Sequence, residues 1–437
     1  MATTRPSRTH SIPTDTILRL TNCLVPVDNC LVPGTLLINS TTGLIISPQD
    51  VFYDSKLQPS STIDLRGKVV VPGFIDVQIN GAYGFDFSNA SKSDDEYASG
   101  LKEVNRQFVS TGVTSYCPTI TSQKDEVYHK VLPHLGPSLR SPTLGSSSLG
   151  AHVEGPFLNP ERNGIHPPHI LQKPSEGLKS LETVYGQENL YSNVKVVTLA
   201  PELLPPSSLP SLPAVLASKN IILSAGHSTA TFSQLVNSNI SMVTHLFNAM
   251  HQPHQREPGI PGAVLAEVSV SKPRFFGIIA DGVHVHPANI KWAYHSNPSG
   301  LCLVTDAMSL LGLPDGEYVW GNGESIQKTG GVLALKGTTK IAGSCVTLLE
   351  CLNNFMRFTN TGIAEAIKTV TKTPARMLGL EGVKGCLEPG ADADLCVLEV
   401  NGDGSVGVEE VWKFGVRVWE KSGMRRRREG VMELGRL

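Results

Sequence analysis

Eight near-continuous apolar stretches, rich in β-branched residues, recur between residues 69 and 308, and each ends in a small cluster of polar residues or glycine. They are VVVPGFIDVQIN (69–80), GVTSYCPTI (112–120), LGAHVEGPF (149–157), VKVVTLAPE (194–202), IILSAGHS (221–228), MVTHLFNAM (242–250), FFGIIADGVH (275–284) and LCLVTDAM (301–308). A strand that is apolar throughout is one covered on both faces, which in practice means a parallel sheet. Helix-compatible segments such as DDEYASGLKEVNRQFVS, SSLPSLPAVLASKN, TATFSQLVNSN and HPANIKWAYHS occupy several of the intervals. Eight strand-plus-connection units predict an α/β chain folded as a TIM-like (β/α)8 barrel, with its chemistry at the C-terminal ends of the strands, where the polar clusters fall.

The flanks read differently. From residue 17 to about 65, short apolar runs (LRLTNCLV, GTLLINS, GLIIS) alternate with turn residues, and 384–420 repeat that texture. The expectation is a small β-sandwich domain assembled from both chain ends, 16–68 and 379–437, with the barrel (69–378) inserted between its halves and a flexible N-terminus over 1–15. Residues 136–148 read as a surface loop, 315–343 as hairpins after the eighth strand, and 345–378 as a helical close.

Charged residues make up 17% of the 437, below the roughly 25% usual in soluble domains, so a large fraction of the chain must be buried. A net charge of −2 argues against nucleic acid as a partner. No run of 18 apolar residues and no apolar N-terminal segment occur, which predicts a cytoplasmic protein with neither membrane span nor secretory signal. The eight cysteines are scattered without C-x-x-C pairs, arguing against both a disulfide framework and a Cys-ligated zinc site. The run Arg425 to Arg428 reads as a solvated tail.

Taken in order, the strand ends offer Glu154 on the third, His227 on the fifth, His245 on the sixth and Asp306 on the eighth. One carboxylate and two imidazoles suit a catalytic divalent cation that keeps a position open for water. Any one of these residues alone reads as an ordinary hydrogen-bonded side chain. Their recurrence at equivalent places in successive βα units favours a metal site. Asp306 ends an otherwise apolar strand, where a carboxylate is costly without a partner or a task. Its expected task is proton transfer to and from a metal-activated water.

PGFIDVQINGAYGFDF, GAHVEGPFLNPERNGIHPP, LAPE, SAGHSTA, THLFNAMHQPHQREPGIPG, IADGVHVHPANI and LVTDAM together resemble the amidohydrolase superfamily in its amino-sugar-phosphate deacetylase branch. The resemblance implies hydrolysis of the acetamide of N-acetyl-D-glucosamine 6-phosphate, with one divalent metal per subunit, Zn2+ foremost and Fe2+, Co2+ or Mn2+ also suited. Where most of that superfamily carries H-x-H after the first strand, this chain has Gln78 and Asn80, beyond Asp76. Amides are poor zinc ligands, so a single metal on Glu154, His227 and His245 is expected. No bridging lysine stands at the fourth strand end. By motif position, Asn248 and Ala249 resemble a turn that contacts the sugar phosphate, and His284 a second phosphate or sugar contact. His166 resembles a histidine beside the acetamido group. Arg256 resembles an arginine reaching the phosphate in the neighbouring subunit, which implies a homodimer. The competing readings are another metal-dependent acyl-amide hydrolase of the same barrel, or a catalytically silent barrel used as a scaffold.

Overall fold

The computed structural model describes residues 17–421 apart from 55, 209–210, 267–273, 320–324 and 339–340. The segment 1–15 and the run Arg425 to Arg428 lie outside the described residues. Eight parallel strands follow one another in chain order around a nearly closed barrel: Phe74–Ile79, Val113–Ile120, Ala151–Glu154, Val194–Leu199, Ile222–Ala225, Met242–Val243, Phe275–Ile279 and Leu301–Val304. Every residue of the first and second is buried, as a sheet covered on both faces requires.

Local signals set the strand–helix alternation. After the first strand, Ser93 and Glu96 form a capping box that opens the helix Asp94–Phe108. Gly112, at φ 85°, then turns the chain into the second strand. Beyond the eighth strand come a four-stranded antiparallel sheet within residues 316–344 and the helices Leu348–Thr359, Ile363–Ala366 and Lys372–Met377. Between the eighth and first strands the seam is bridged by main-chain bonds from Asp306 N to Gln78 O and from Asn80 N to Ala307 O, both 2.8 Å. The Thr305 hydroxyl adds a bond to Asp76 Oδ2 at 2.6 Å.

Strands from both chain ends form one eight-stranded sheet, ordered Val416–Glu420, Val406–Lys413, Leu395–Val400, Val69–Pro72, Ile17–Val27, Cys30–Asn39 and Leu44–Ile46, with Ser61–Asp64 also on Ile17–Val27. Its far edge returns to 390–393 through Ile45 N to Ala391 O (2.9 Å) and Ala393 N to Gly43 O (2.8 Å). The sheet thus rolls over its own apolar core, which includes Leu20, Leu36, Ile38, Val70, Leu395 and Trp412.

Two apolar runs are not single strands. The stretch 69–80 breaks after Pro72: Val69–Pro72 pairs with Leu395–Val400 in the terminal sheet, and the barrel begins only at Phe74. Gly73 makes the crossing because a β-carbon there would lie 2.2 Å from Thr114 Oγ1 on the second barrel strand. In 242–250 only Met242–Val243 is strand, since His245, Phe247 and Ala249 take positive φ (31°, 77° and 51°). Alternating left-handed residues cannot extend a strand.

A buried ion cluster fastens the terminal sheet to the barrel. Lys413 Nζ donates to Asp394 Oδ2 (2.7 Å) and to Thr114 O on the second barrel strand (2.9 Å). Lys384 Nζ donates to the same Asp394 oxygen at 2.7 Å, and Phe414 N to Oδ1 at 2.9 Å. Burial pushes the Asp394 carboxyl up, but the two ammonium groups outweigh it and hold it at about 2. Burial also holds Lys413 down to about 8, a cost the carboxylates only partly offset. The cluster therefore locks geometry more than it adds stability, and removing one member is what costs. Asp394→Ala should lose about 3–5 kcal/mol in denaturant titration at neutral pH. The Asp394 contribution, with a folded pKa below the ordinary 3.8, should be present in full above that value and disappear as pH falls through about 2.

Candidate metal centre and active-site cleft

Glu154 is the last residue of the third strand, while His227, His245 and Asp306 each stand two residues beyond the end of theirs. Those three have positive φ, at 48°, 31° and 48°. Such backbone is uncommon for residues with a β-carbon and costs about 1–3 kcal/mol each. Its effect is to break each strand where its side chain is needed.

Three ligand atoms converge there. Glu154 Oε1 lies 3.1 Å from His227 Nε2 and 3.0 Å from His245 Nε2, and the two nitrogens are 3.0 Å apart. The His227 Nδ1 proton goes to Arg162 O at 2.7 Å, so in the neutral ring Nε2 carries a lone pair. That lone pair faces a carboxylate oxygen and a second imidazole nitrogen, an arrangement that needs positive charge at its centre. Tetrahedral zinc with bonds of about 2.0–2.1 Å spaces its ligand atoms roughly 3.3 Å apart, so the triangle matches one face of such a site closely. Burial pushes the Glu154 carboxyl up, yet hydrogen bonds and charge from His227 and His245 overcome it and hold it well below the usual carboxylate range.

His166 also offers a ring nitrogen to this group, forming with Glu154 and His227 a set of candidate ligand atoms within 4.8 Å of one another. Its tautomer argues for another role. His166 Nδ1 accepts from Ser122 N at 3.1 Å, and a backbone N–H can only donate. The proton therefore sits on Nε2, which makes that atom a hydrogen-bond donor. Burial, helped by the charge of His227, drives the ring down to about 3, so it stays neutral.

Asp306 shares the cleft. Burial first, then the charge of Glu154, push its carboxyl up to about 6, against the pull of His245, the Asn80 amide and His284. His284 gives its Nδ1 proton to Asp281 Oδ2 at 2.6 Å, and Asp281 also accepts from the backbone of Val283 and His284. A cleft of about 250 Å3 is lined by Glu154, His166, His227, His245, His284 and Asp306 together with Asn80, Asn248, Ala249, Met308, and Ile341 and Gly343 from the hairpin sheet. Arg256 is exposed and outside this lining. Its neighbour Glu257 is engaged elsewhere, accepting from Phe232 N at 2.7 Å and Gly259 N at 3.0 Å.

Sequence reasoning reads Gln78 and Asn80 only as missing imidazoles. In the structure Gln78 Nε2 donates to Glu154 Oε2 at 3.1 Å and Asn80 Nδ2 to Asp306 Oδ1 at 2.7 Å. The available signal is their i, i+2 spacing with Asp76, which in a strand places side chains on one face. Glu202 escapes sequence reasoning as well. It accepts from Asn159 Nδ2 (2.9 Å), Ser228 Oγ (2.5 Å) and Thr229 N (2.7 Å), tying the loop after the third strand to the one bearing His227.

Comparison with known proteins places this geometry. The amidohydrolase family model matches residues 69–418. A Danio rerio protein named N-acetylglucosamine-6-phosphate deacetylase is 38% identical over 384 residues, covering 87% of this chain and 91% of that one. The Homo sapiens protein of the same name is 36% identical over 414 residues, 94% and 97% of the two chains. Among solved structures, a Mycobacterium smegmatis N-acetyl-D-glucosamine-6-phosphate deacetylase, in an aspartate-to-alanine mutant complexed with N-acetyl-D-glucosamine-6-phosphate, superposes with a TM-score of 0.74. It is 28% identical and covers 93% of this chain and 100% of that one. The chain belongs to the amidohydrolase family, in the company of the N-acetylglucosamine-6-phosphate deacetylases.

Proposed function

We propose that the protein hydrolyses the acetamide of N-acetyl-D-glucosamine 6-phosphate, releasing acetate and D-glucosamine 6-phosphate in amino-sugar breakdown. The observation that carries this reading is the triangle of Glu154, His227 and His245 opening into one cleft with Asp306 and a neutral His166. The names of the relatives supply the substrate. Glu154, His227 and His245 would hold one divalent cation, with Zn2+ the first candidate and Fe2+, Co2+ and Mn2+ compatible with the same donors. When bound, such a cation polarises the acyl carbonyl and acidifies an adjacent water.

Asp306 then takes a proton from the attacking water and returns it to the departing nitrogen. Burial and the Glu154 charge raise that carboxyl, which favours a group that both accepts a proton and gives it back. His166 Nε2–H donates to the acyl oxygen as negative charge builds there, a preorganised donor of the oxyanion-hole kind. Asn248, Ala249 and His284 form the sugar-phosphate side. Arg256, exposed on its own chain, reaches the phosphate held by a second copy, so the working unit is a homodimer. Its planar fork suits phosphate oxygens. We further assign the barrel to 69–378, less the strand Val69–Pro72 that the terminal sheet takes, and the terminal β domain to the described residues of the flanking halves 16–68 and 379–437. No helix among the described residues is long and apolar enough to cross a membrane.

Asp306→Asn should lower kcat for acetate release by roughly 10²–10⁴-fold while the protein keeps its cation by elemental analysis. Near-normal turnover would refute its role. His227→Ala and His245→Ala should instead lose the cation, and chelation should abolish wild-type activity until a divalent metal is restored. Acetate release should require the 6-phosphate, with Arg256→Ala raising KM for that substrate alone. Equal turnover of N-acetylglucosamine and its 6-phosphate would point to a different acyl amide.

A further inference from the structure

Asp76 and Gln78 on the first barrel strand and Asn80, one residue past its end, continue one i, i+2 series and are all buried. The strand is registered against the eighth by Asp306 N to Gln78 O and Asn80 N to Ala307 O. Asp76 fixes that register from below. It accepts from the Thr305 hydroxyl at 2.6 Å and from Gln78 N at 3.2 Å. From this anchored strand two amides reach the two carboxylates of the site.

Gln78 Nε2 holds Glu154 by Oε2 at 3.1 Å, and the other oxygen, Oε1, is the one that meets both imidazoles. A free glutamate can present either oxygen or both. Pinned by one, it presents a single atom in a single place, and the rotamer entropy is lost on folding and not on cation binding. Asn80 Nδ2 holds Asp306 Oδ1 at 2.7 Å, with a longer contact of 3.4 Å to its carbonyl. These bonds fix the amide orientation, since only the NH2 end can donate to a carboxylate. Asn80 Oδ1 is then left buried with no partner among the described residues. A buried acceptor without a donor costs stability, so the amide is kept for what its NH2 does.

We propose that Gln78 and Asn80 are the positioning residues of this centre: Gln78 sets which oxygen of Glu154 is presented for cation binding, and Asn80 sets the direction of the Asp306 carboxylate. Where an imidazole pair on this strand would bind metal directly, the amides act on the carboxylates. The Asn80 half rests on the acetamide hydrolysis proposed above, and the Gln78 half does not.

The test is a pair of variants read two ways. Zn2+ affinity of the metal-stripped full-length protein, by competition with a chromophoric chelator, should weaken about 10–100-fold in Gln78→Leu and change less than about threefold in Asn80→Leu. Zinc-loaded Asn80→Leu should lose roughly tenfold or more in kcat with KM within about threefold, while its Tm stays close to wild type, because the orphan acceptor and the donor to Asp306 are removed together. If Gln78→Leu does not fold, Gln78→Met preserves chain length and supplies the same affinity measurement. Unchanged Zn2+ affinity in a folded Gln78 variant would overturn the first assignment. Unchanged kcat in Asn80→Leu, or a parallel fall in kcat, affinity and Tm, would overturn the second. Inactivity of the wild type towards the phosphorylated acetamide would sink the proposed reaction and the Asn80 half with it. The Gln78 half would still be decided by Zn2+ affinity, which needs no turnover.

Discussion

One oxygen atom organises the mouth of this barrel. Glu154 Oε1 faces two imidazole nitrogens at 3.0–3.1 Å, and with His227 committed to Arg162 through its other nitrogen, the neutral His227 ring turns a lone pair towards that oxygen, so the cluster calls for positive charge at its centre. The features around it answer that demand. The left-handed backbone at His227 and His245 brings the rings inward, Gln78 steadies the carboxylate from behind, and Glu202 ties down the loop that carries one of the rings. Asp306 and His166 sit close enough to be biased by the same charges, so their protonation states follow from that convergence.

A division of labour among neutral and charged groups results. His166 is kept uncharged by burial and by its histidine neighbours, and its tautomer is dictated by the Ser122 amide. Asp306 is pushed the other way, towards holding a proton near neutrality. Groups with different tasks therefore acquire different acidities from position alone, within one cleft of about 250 Å3.

Much of this is legible in the linear chain. Eight apolar runs ending in polar residues are a strong signal because burial on both faces leaves little room for other side chains, and Glu154, His227, His245 and Asp306 lie where those runs stop. The strand breaks are harder to read. Positive φ at His245, Phe247 and Ala249 has no glycine to announce it and is imposed by tertiary packing. The split at Gly73 depends on Thr114, some forty residues away. The roles of Gln78 and Asn80 are hidden for the same reason: their partners, Glu154 and Asp306, are 76 and 226 positions distant. Ile341 and Gly343 reach the cleft from a hairpin sheet whose composition marks it only as turns and short strands.

The terminal sheet carries a consequence for how the protein is made. Val69–Pro72 is flanked by Ile17–Val27 on one side and by Leu395–Val400 on the other, so one of its two neighbours is synthesised roughly 330 residues later. At ribosomal speeds of about 5–20 residues per second, that interval lasts roughly 15–65 s. Throughout it the nascent chain holds a hydrophobic strand, VVVP, with an unclaimed hydrogen-bonding edge. Barrel units emerging meanwhile can pair in sequence, but that edge finds its second partner only once Leu395–Val400 has been made. Closure of this sheet is thus a late event in synthesis, whatever the barrel has done before it.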